Sequence, residues 1–163
     1  MILKLFLMPL ILPLLGGVTS DSWQVPLAGS IALVRPYLQP SSGYSAGHRG
    51  VDYQVSLGQS VYAAAAGTVV HAGKLAARSL VSLKHGAEIV SEVEPVCTSL
   101  KEGDQVSAGQ QIGVVCQPET NYVQHCAKVR CLHFSVRSHG QYLSPLAFIG
   151  GLNPSRLLPY ARG

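Results

Sequence analysis

Ser60-Val61-Tyr62-Ala63-Ala64, Gly67-Thr68-Val69-Val70-His71-Ala72-Gly73, Ser79-Leu80-Val81-Ser82-Leu83 and Ala87-Glu88-Ile89-Val90-Ser91 follow one another within residues 60–91. Each segment is short, some alternate apolar with polar side chains, and glycines punctuate the run. None has helical spacing, so the stretch reads as consecutive β-strands. Gln111-Ile112-Gly113-Val114-Val115 and Leu132-His133-Phe134-Ser135-Val136 extend the pattern downstream. Leading into the first of these, Gly103 to Gly113 reads as a turn, a strand start, a second turn and another strand. Several strands at this spacing predict an all-β fold, a sandwich or barrel-like sheet.

Working outward, residues 21–43 hold Pro26, Pro36 and Pro40 among several Gly and Ser residues. They are expected to wrap the core as an extended arm. Residues 44–150 form the expected domain, and 151–163, with Gly151 and Pro154, a loose tail. No internal linker separates a second domain. At the start, Lys4 precedes the apolar run Leu5–Leu15, and Val18-Thr19-Ser20 offers small residues for cleavage. Residues 1–20 are therefore expected to be a signal peptide. Pro9 and Pro13 make so short a run a poor membrane-spanning helix, and no stable span is expected after cleavage.

The 163-residue chain carries 12 Lys+Arg against 8 Asp+Glu, a formal net charge of +4, and only 12% of its residues are charged. Removing the signal segment removes Lys4 alone among these charges. The rest are scattered without a basic run, which excludes a nucleic-acid footprint. A mildly cationic exported protein suits an anionic cell envelope.

Cys97, Cys116, Cys126 and Cys131 in an exported chain read as two disulfides, and no CxxC spacing points to a cysteine metal site. Three connectivities are possible. The short separation favours Cys126 with Cys131 around a small loop, leaving Cys97 with Cys116 on segments that could be adjacent strands.

Two short stretches carry the chemistry: His48-Arg49-Gly50-Val51-Asp52 and Cys131-Leu132-His133-Phe134. In a straight strand His48 and Asp52 would sit ~13 Å apart, too far to share a metal with ~2 Å bonds. Gly50 between them permits a bend or bulge that would bring them together. Cys131 and His133, two apart, point the same way on a strand. Two imidazoles and a carboxylate are one short of a closed zinc sphere, which is the pattern of an open site.

From about Tyr44 to Ile149 the chain resembles the lysostaphin/LytM-type zinc metallopeptidases, which cut peptide cross-links in bacterial peptidoglycan. The resemblance rests on an ordered series. Gly47-His48-Arg49-Gly50-Val51-Asp52 comes first, then Val61 to Val69, Val81-Ser82-Leu83-Lys84-His85-Gly86, the Gly103–Gly113 hairpin and Leu132 to Arg137. It implies the family's fold, a duplicated hybrid motif in a β-sandwich or barrel-like sheet. It also implies zinc on His48, Asp52 and His133, with the open position available to activate water. Peptidoglycan is the implied ligand, a wall hydrolase a possible partner, and the bacterial cell envelope or exterior the implied location.

The chain departs from the family where proton handling is concerned. The first His of the family's His-x-His corresponds to Cys131, and counting from His85-Gly86 puts the middle-strand His at Pro95. Glu94 beside it would face away in a regular strand unless Pro95 breaks the strand and turns it inward. Three readings follow. Glu94 serves as base, as a Glu does in HExxH peptidases, with His125, next to Cys126, as a second proton handler. Alternatively, the domain binds metal without turnover and recognises wall peptides or regulates another hydrolase. Finally, His48 and His133 could be merely packed, hydrogen-bonded histidines. The departures, including the Cys-bracketed loop, resemble an actinobacterial variant of the family.

Overall fold

The computed structural model describes residues 23–117, 126 and 129–150. The expected signal segment 1–20, His125 and the tail 151–163 lie outside the described residues. The strands are β1 Leu33–Arg35, β2 Val51–Gln54, β3 Ser60–Tyr62, β4 Gly67–Leu75, β5 Arg78–His85, β6 Ile89–Glu94, β7 Val96–Cys97, β8 Gln105–Val106, β9 Gln111–Val115, β10 Cys131–Ser138 and β11 Gln141–Leu143. A 3-10 turn follows at Pro145–Ala147. No helix among the described residues is long and apolar enough to cross a membrane.

The large sheet is antiparallel in the order β1-β2-β10-β6-β5-β4-β8, and a small sheet runs β3-β9-β7. β10 is the organising strand. One edge pairs with β2 through residues 131–134 and with β11 through 136–138, while the other pairs with β6 through 133–138. Its first six residues are all buried, although only alternate ones are strongly apolar. Leu132, Phe134 and Val136 take the core face, joining Val51, Tyr53, Val81, Leu83 and Val93 with Val61, Val96, Ile112 and Val115 of the small sheet. Each such fully buried side chain contributes roughly 1.5–3 kcal/mol. That anchorage holds in place the strand's other face, made of Cys131, His133 and Ser135.

The 103–113 segment folds as its turn residues direct, with positive φ at Gly103 (93°) and Gly109 (74°) on either side of β8. The N-terminal residues pair with the rest of the chain by backbone hydrogen bonds. Gln24 donates to the carbonyl of Ala64 and Tyr62 to that of Pro26. β1 pairs with β2, and Leu38 bridges to His48. β1 was not evident from sequence, because so short an exposed strand (Leu33, Val34, Arg35) has no buried alternation.

Both disulfides join the partners that spacing favoured. Cys97–Cys116 spans Cα atoms 5.5 Å apart, and Cys126–Cys131 spans 6.1 Å, within the usual range. Cys97 on β7 lies opposite Val114 on β9, so the adjacent strands expected for that bridge are present.

Candidate metal centre

The chain bends at residues 49 and 50 and enters β2 at Val51. The bend returns His48 towards Asp52, closing Nε2 to Oδ2 at 3.2 Å. From β10, His133 Nδ1 lies 2.7 Å from the other carboxylate oxygen, Oδ1. The register explains the meeting, since His133 stands directly opposite Asp52 across the β2–β10 ladder. All three residues are buried, and their ligand atoms lie within 4.8 Å of one another.

Gly50 has a second reason to be glycine. A Cβ there would lie 2.5 Å from His133 Cε1, 2.6 Å from Nε2 and 2.5 Å from the Phe134 carbonyl oxygen. No side chain fits where the His133 ring passes the backbone.

His48 is oriented from behind. Its Nδ1 lies 2.7 Å from the carbonyl oxygen of Pro36, an acceptor, so Nδ1 carries the proton and donates. In the neutral ring Nε2 then presents its lone pair to the Asp52 carboxylate. Burial pushes the His48 imidazole below its ordinary range, outweighing the opposing pulls of the Pro36 bond and the Asp52 charge. A neutral imidazole facing a carboxylate is two acceptors in contact, an arrangement that a cation between them satisfies. The backbone carbonyl behind a ligating histidine is the usual outer-shell partner. Two nitrogens and a carboxylate oxygen with an open fourth side fit zinc.

A second group, Asp52 with Cys126 and Cys131, also has its ligand atoms close together. Both sulfurs are consumed in the disulfide, so no thiolate is available there. The disulfide sulfur of Cys126 touches Asp52 Oδ2 at 3.6 Å. This wall of the site is covalently closed, where the resemblance implied a further imidazole.

The position of Glu94 corrects the sequence reading. It does not face away, and no break in the strand is needed to turn it. β6 runs regularly to Glu94, which stands directly opposite His133 on the site face. The reason is parity. The β5–β6 hairpin pairs His85 with Ile89, which places His85, Ser91 and Val93 on the core face and Glu92 and Glu94 on the other. Counting from His85-Gly86 alone missed this by one residue, and a one-residue slip exchanges faces. The Glu94–Pro95 peptide is cis, and β6 ends there.

Glu94 is 1% exposed and lines a groove of about 230 Å³ together with His48, His133, Arg35, Arg49 and Arg78. Arg49 Nη2 donates to the carbonyls of Gly43 and Ser45 at 2.7 and 3.2 Å, tying down the loop at the groove's rim. Arg78 Nη1 reaches Glu94 Oε2 at 3.1 Å. Sequence reasoning missed Arg78, which lies in no motif and acquires its place only through the β5–β6 pairing.

The other histidines are accounted for locally. His85 is buried between the Ala66 carbonyl and the Ser91 hydroxyl, each 2.8 Å away. His71 lies 3.5 Å from Glu102, and exposed His139 3.4 Å from Glu88.

Fold and site together define a class: an antiparallel β domain with a buried two-histidine, one-carboxylate cluster at the side of an open groove. Residues 46–145, more than half the chain, match Peptidase family M23, and the chain belongs to that family. It is 37% identical over 138 residues to an uncharacterised protein of Mycobacterium tuberculosis, covering 82% of this chain and 53% of the relative. It is 28% identical to the murein hydrolase activator NlpD of Escherichia coli, covering 79% of this chain and 31% of that protein. The chain thus spans about half the length, or less, of these curated relatives. The catalytic domain of the antimicrobial peptidase lysostaphin from Staphylococcus simulans shares the fold. Its TM-score is 0.58 at 22% identity, covering 74% of this chain and 92% of that one.

Proposed function

We propose that this is an exported zinc metallopeptidase domain that hydrolyses stem or cross-link peptides of bacterial peptidoglycan. The observation that carries the reading is the convergence of His48, Asp52 and His133, two of which, His48 and His133, line the same groove as the buried carboxylate Glu94. Membership of the family supports it. His48 Nε2, the Asp52 carboxylate and His133 Nδ1 would hold the metal, which when bound supplies Lewis-acid activation of water and of the scissile carbonyl.

The remaining work falls to the chain's own groups. Glu94 accepts the proton from the attacking water and returns it to the leaving amine, so the carboxylate is regenerated each turnover. His125, one residue from Cys126, is the second proton handler in this reading. The Pro36 carbonyl fixes the His48 tautomer. The Cys126–Cys131 disulfide excludes solvent from one wall of the site and has no proton to give.

That last point favours one rival, a module that binds wall peptides or activates another wall hydrolase without turnover. Similarity to a murein hydrolase activator points the same way. The two separate in one experiment with purified protein on labelled peptidoglycan, with and without chelator, beside His133→Ala. Release of peptides that chelator and the substitution both abolish supports the peptidase. Sedimentation with wall material without any release, in the zinc-loaded protein, overturns it in favour of the module.

A further inference from the structure

Asp52, His133 and Glu94 form a continuous row across β2, β10 and β6. Directly opposed residues in an antiparallel ladder carry Cβ atoms ~4.5–5.5 Å apart, so a glutamate at 94 has the reach to join the ligands of a metal held by its neighbours. Two imidazoles and two carboxylates would complete a four-ligand sphere, the closed form typical of structural zinc. Yet the Glu94 carboxylate stands outside the His48–Asp52–His133 group whose ligand atoms lie within 4.8 Å of one another.

Arg78 engages that carboxylate. From β5 its Nη1 lies 3.1 Å from Glu94 Oε2 and 3.4 Å from Oε1, with Glu92 Oε1 more distant at 3.9 Å. Glu92 is engaged elsewhere, its Oε2 accepting from the Ser82 hydroxyl at 2.9 Å. A carboxylate as buried as Glu94 has lost its water and requires a cation or strong donors in compensation. A guanidinium supplies both.

We propose that Arg78 is a positioning residue that keeps Glu94 off the metal, so that the site remains three-liganded and open. This rests on the zinc reading above and deepens it. Without Arg78, Glu94 loses this guanidinium, and a metal held by the opposed His133 and Asp52 is expected to draw the carboxylate into its sphere. An ion pair with a merely structural role predicts otherwise: its loss would leave zinc affinity unchanged or weaken it through disorder.

The test is zinc affinity of the full chain, by competition with a chromophoric chelator, in wild type, Arg78→Ala, Arg78→Lys and the double variant Arg78→Ala/Glu94→Gln. Losing an outer-shell partner that supports a ligand typically costs ~10–100-fold in metal affinity; Arg78→Ala, which instead frees a further ligand, is expected to tighten zinc binding by about tenfold or more. Arg78→Lys, which retains the cation, stays near wild type, and the double variant loses the tightening. Should Arg78→Ala fail to fold, Arg78→Gln is expected to show the same tightening. Unchanged or weaker binding in a folded Arg78 variant overturns this inference while leaving the zinc site intact. A wild-type chain that binds no zinc overturns both.

Discussion

Glu94 lies directly across the β6–β10 ladder from His133, so a buried carboxylate and a candidate metal ligand rise from the same face of the sheet. The pairing places a proton acceptor beside the metal group, on the middle strand where the resemblance implied a further imidazole. Glu94→Gln preserves shape and hydrogen-bonding capacity but removes the basic oxygen. It is expected to lower kcat/KM on peptidoglycan fragments ~10²–10⁴-fold while zinc stoichiometry stays at the wild-type value. Clearance at the wild-type rate by a zinc-loaded Glu94→Gln chain would remove Glu94 from the mechanism.

Gly50 permits the close passage of the His133 ring, and the consequence is measurable. In Gly50→Ala the added carbon must displace either the ring or the Phe134 carbonyl, since both would lie at 2.5–2.6 Å. Overpacking of this kind costs about 1–3 kcal/mol. Zinc binding and the urea midpoint are both expected to fall, because the ring that moves carries a ligand atom. A variant with unaltered zinc content and midpoint would show that the backbone yields without disturbing the site.

The contrast between the ligands and their supports shows what the sequence made legible. His48, Asp52 and His133 were readable because their residue types and order imply a use, and Gly50 signalled the bend. The strands of residues 60–91 and the hairpin at 103–113 were readable from local alternation and turn glycines. Glu94 was readable as a candidate but not in its orientation, which depends on the length of the 86–88 hairpin loop and on pairing with the distant strand β10. The Pro36 carbonyl behind His48 and the Arg78 guanidinium beside Glu94 had no local signal. A backbone carbonyl has no residue identity, and a lone arginine on a strand is commonly a solvated charge.

The two disulfides should differ in their contribution to stability. Cys97–Cys116 closes a sequence separation of 19 and Cys126–Cys131 one of 5. On the chain-entropy account, the longer loop loses more freedom in the unfolded state, giving about 3 kcal/mol against about 2 kcal/mol for the shorter. Paired Cys→Ser variants compared by urea unfolding are expected to follow that order. The Cys126/Cys131 pair should show the greater effect on the site, since its sulfur touches Asp52. Equal loss of stability with zinc affinity unaffected in both would deny the shorter bridge any part in shaping the metal centre.

Acidification should destabilise the fold through His85. Its Nδ1 donates to the Ala66 carbonyl and its Nε2 accepts from the Ser91 hydroxyl, so the neutral ring has both nitrogens satisfied. Burial holds its pKa below the ordinary 6.5, against the raising effect of the Ala66 bond. A histidine depressed in the folded state leaves the unfolded chain binding more protons between the folded pKa and 6.5. Its stabilising contribution is therefore fully present above about pH 6.5 and is lost as pH falls from there towards the folded pKa, by at most about 1.4 kcal/mol per pH unit. Trp23, the chain's single tryptophan, packs with its ring centroid 4.4 Å from that of His85, so its fluorescence reports unfolding at the same place. Urea midpoints followed by that signal are expected to fall between about pH 8 and pH 5.5, and the slope to flatten in part in His85→Gln. His48, depressed in the same direction, keeps the remainder. A midpoint that rises on acidification, or a slope unchanged in His85→Gln, would show that His85 is not the buried neutral group this packing requires.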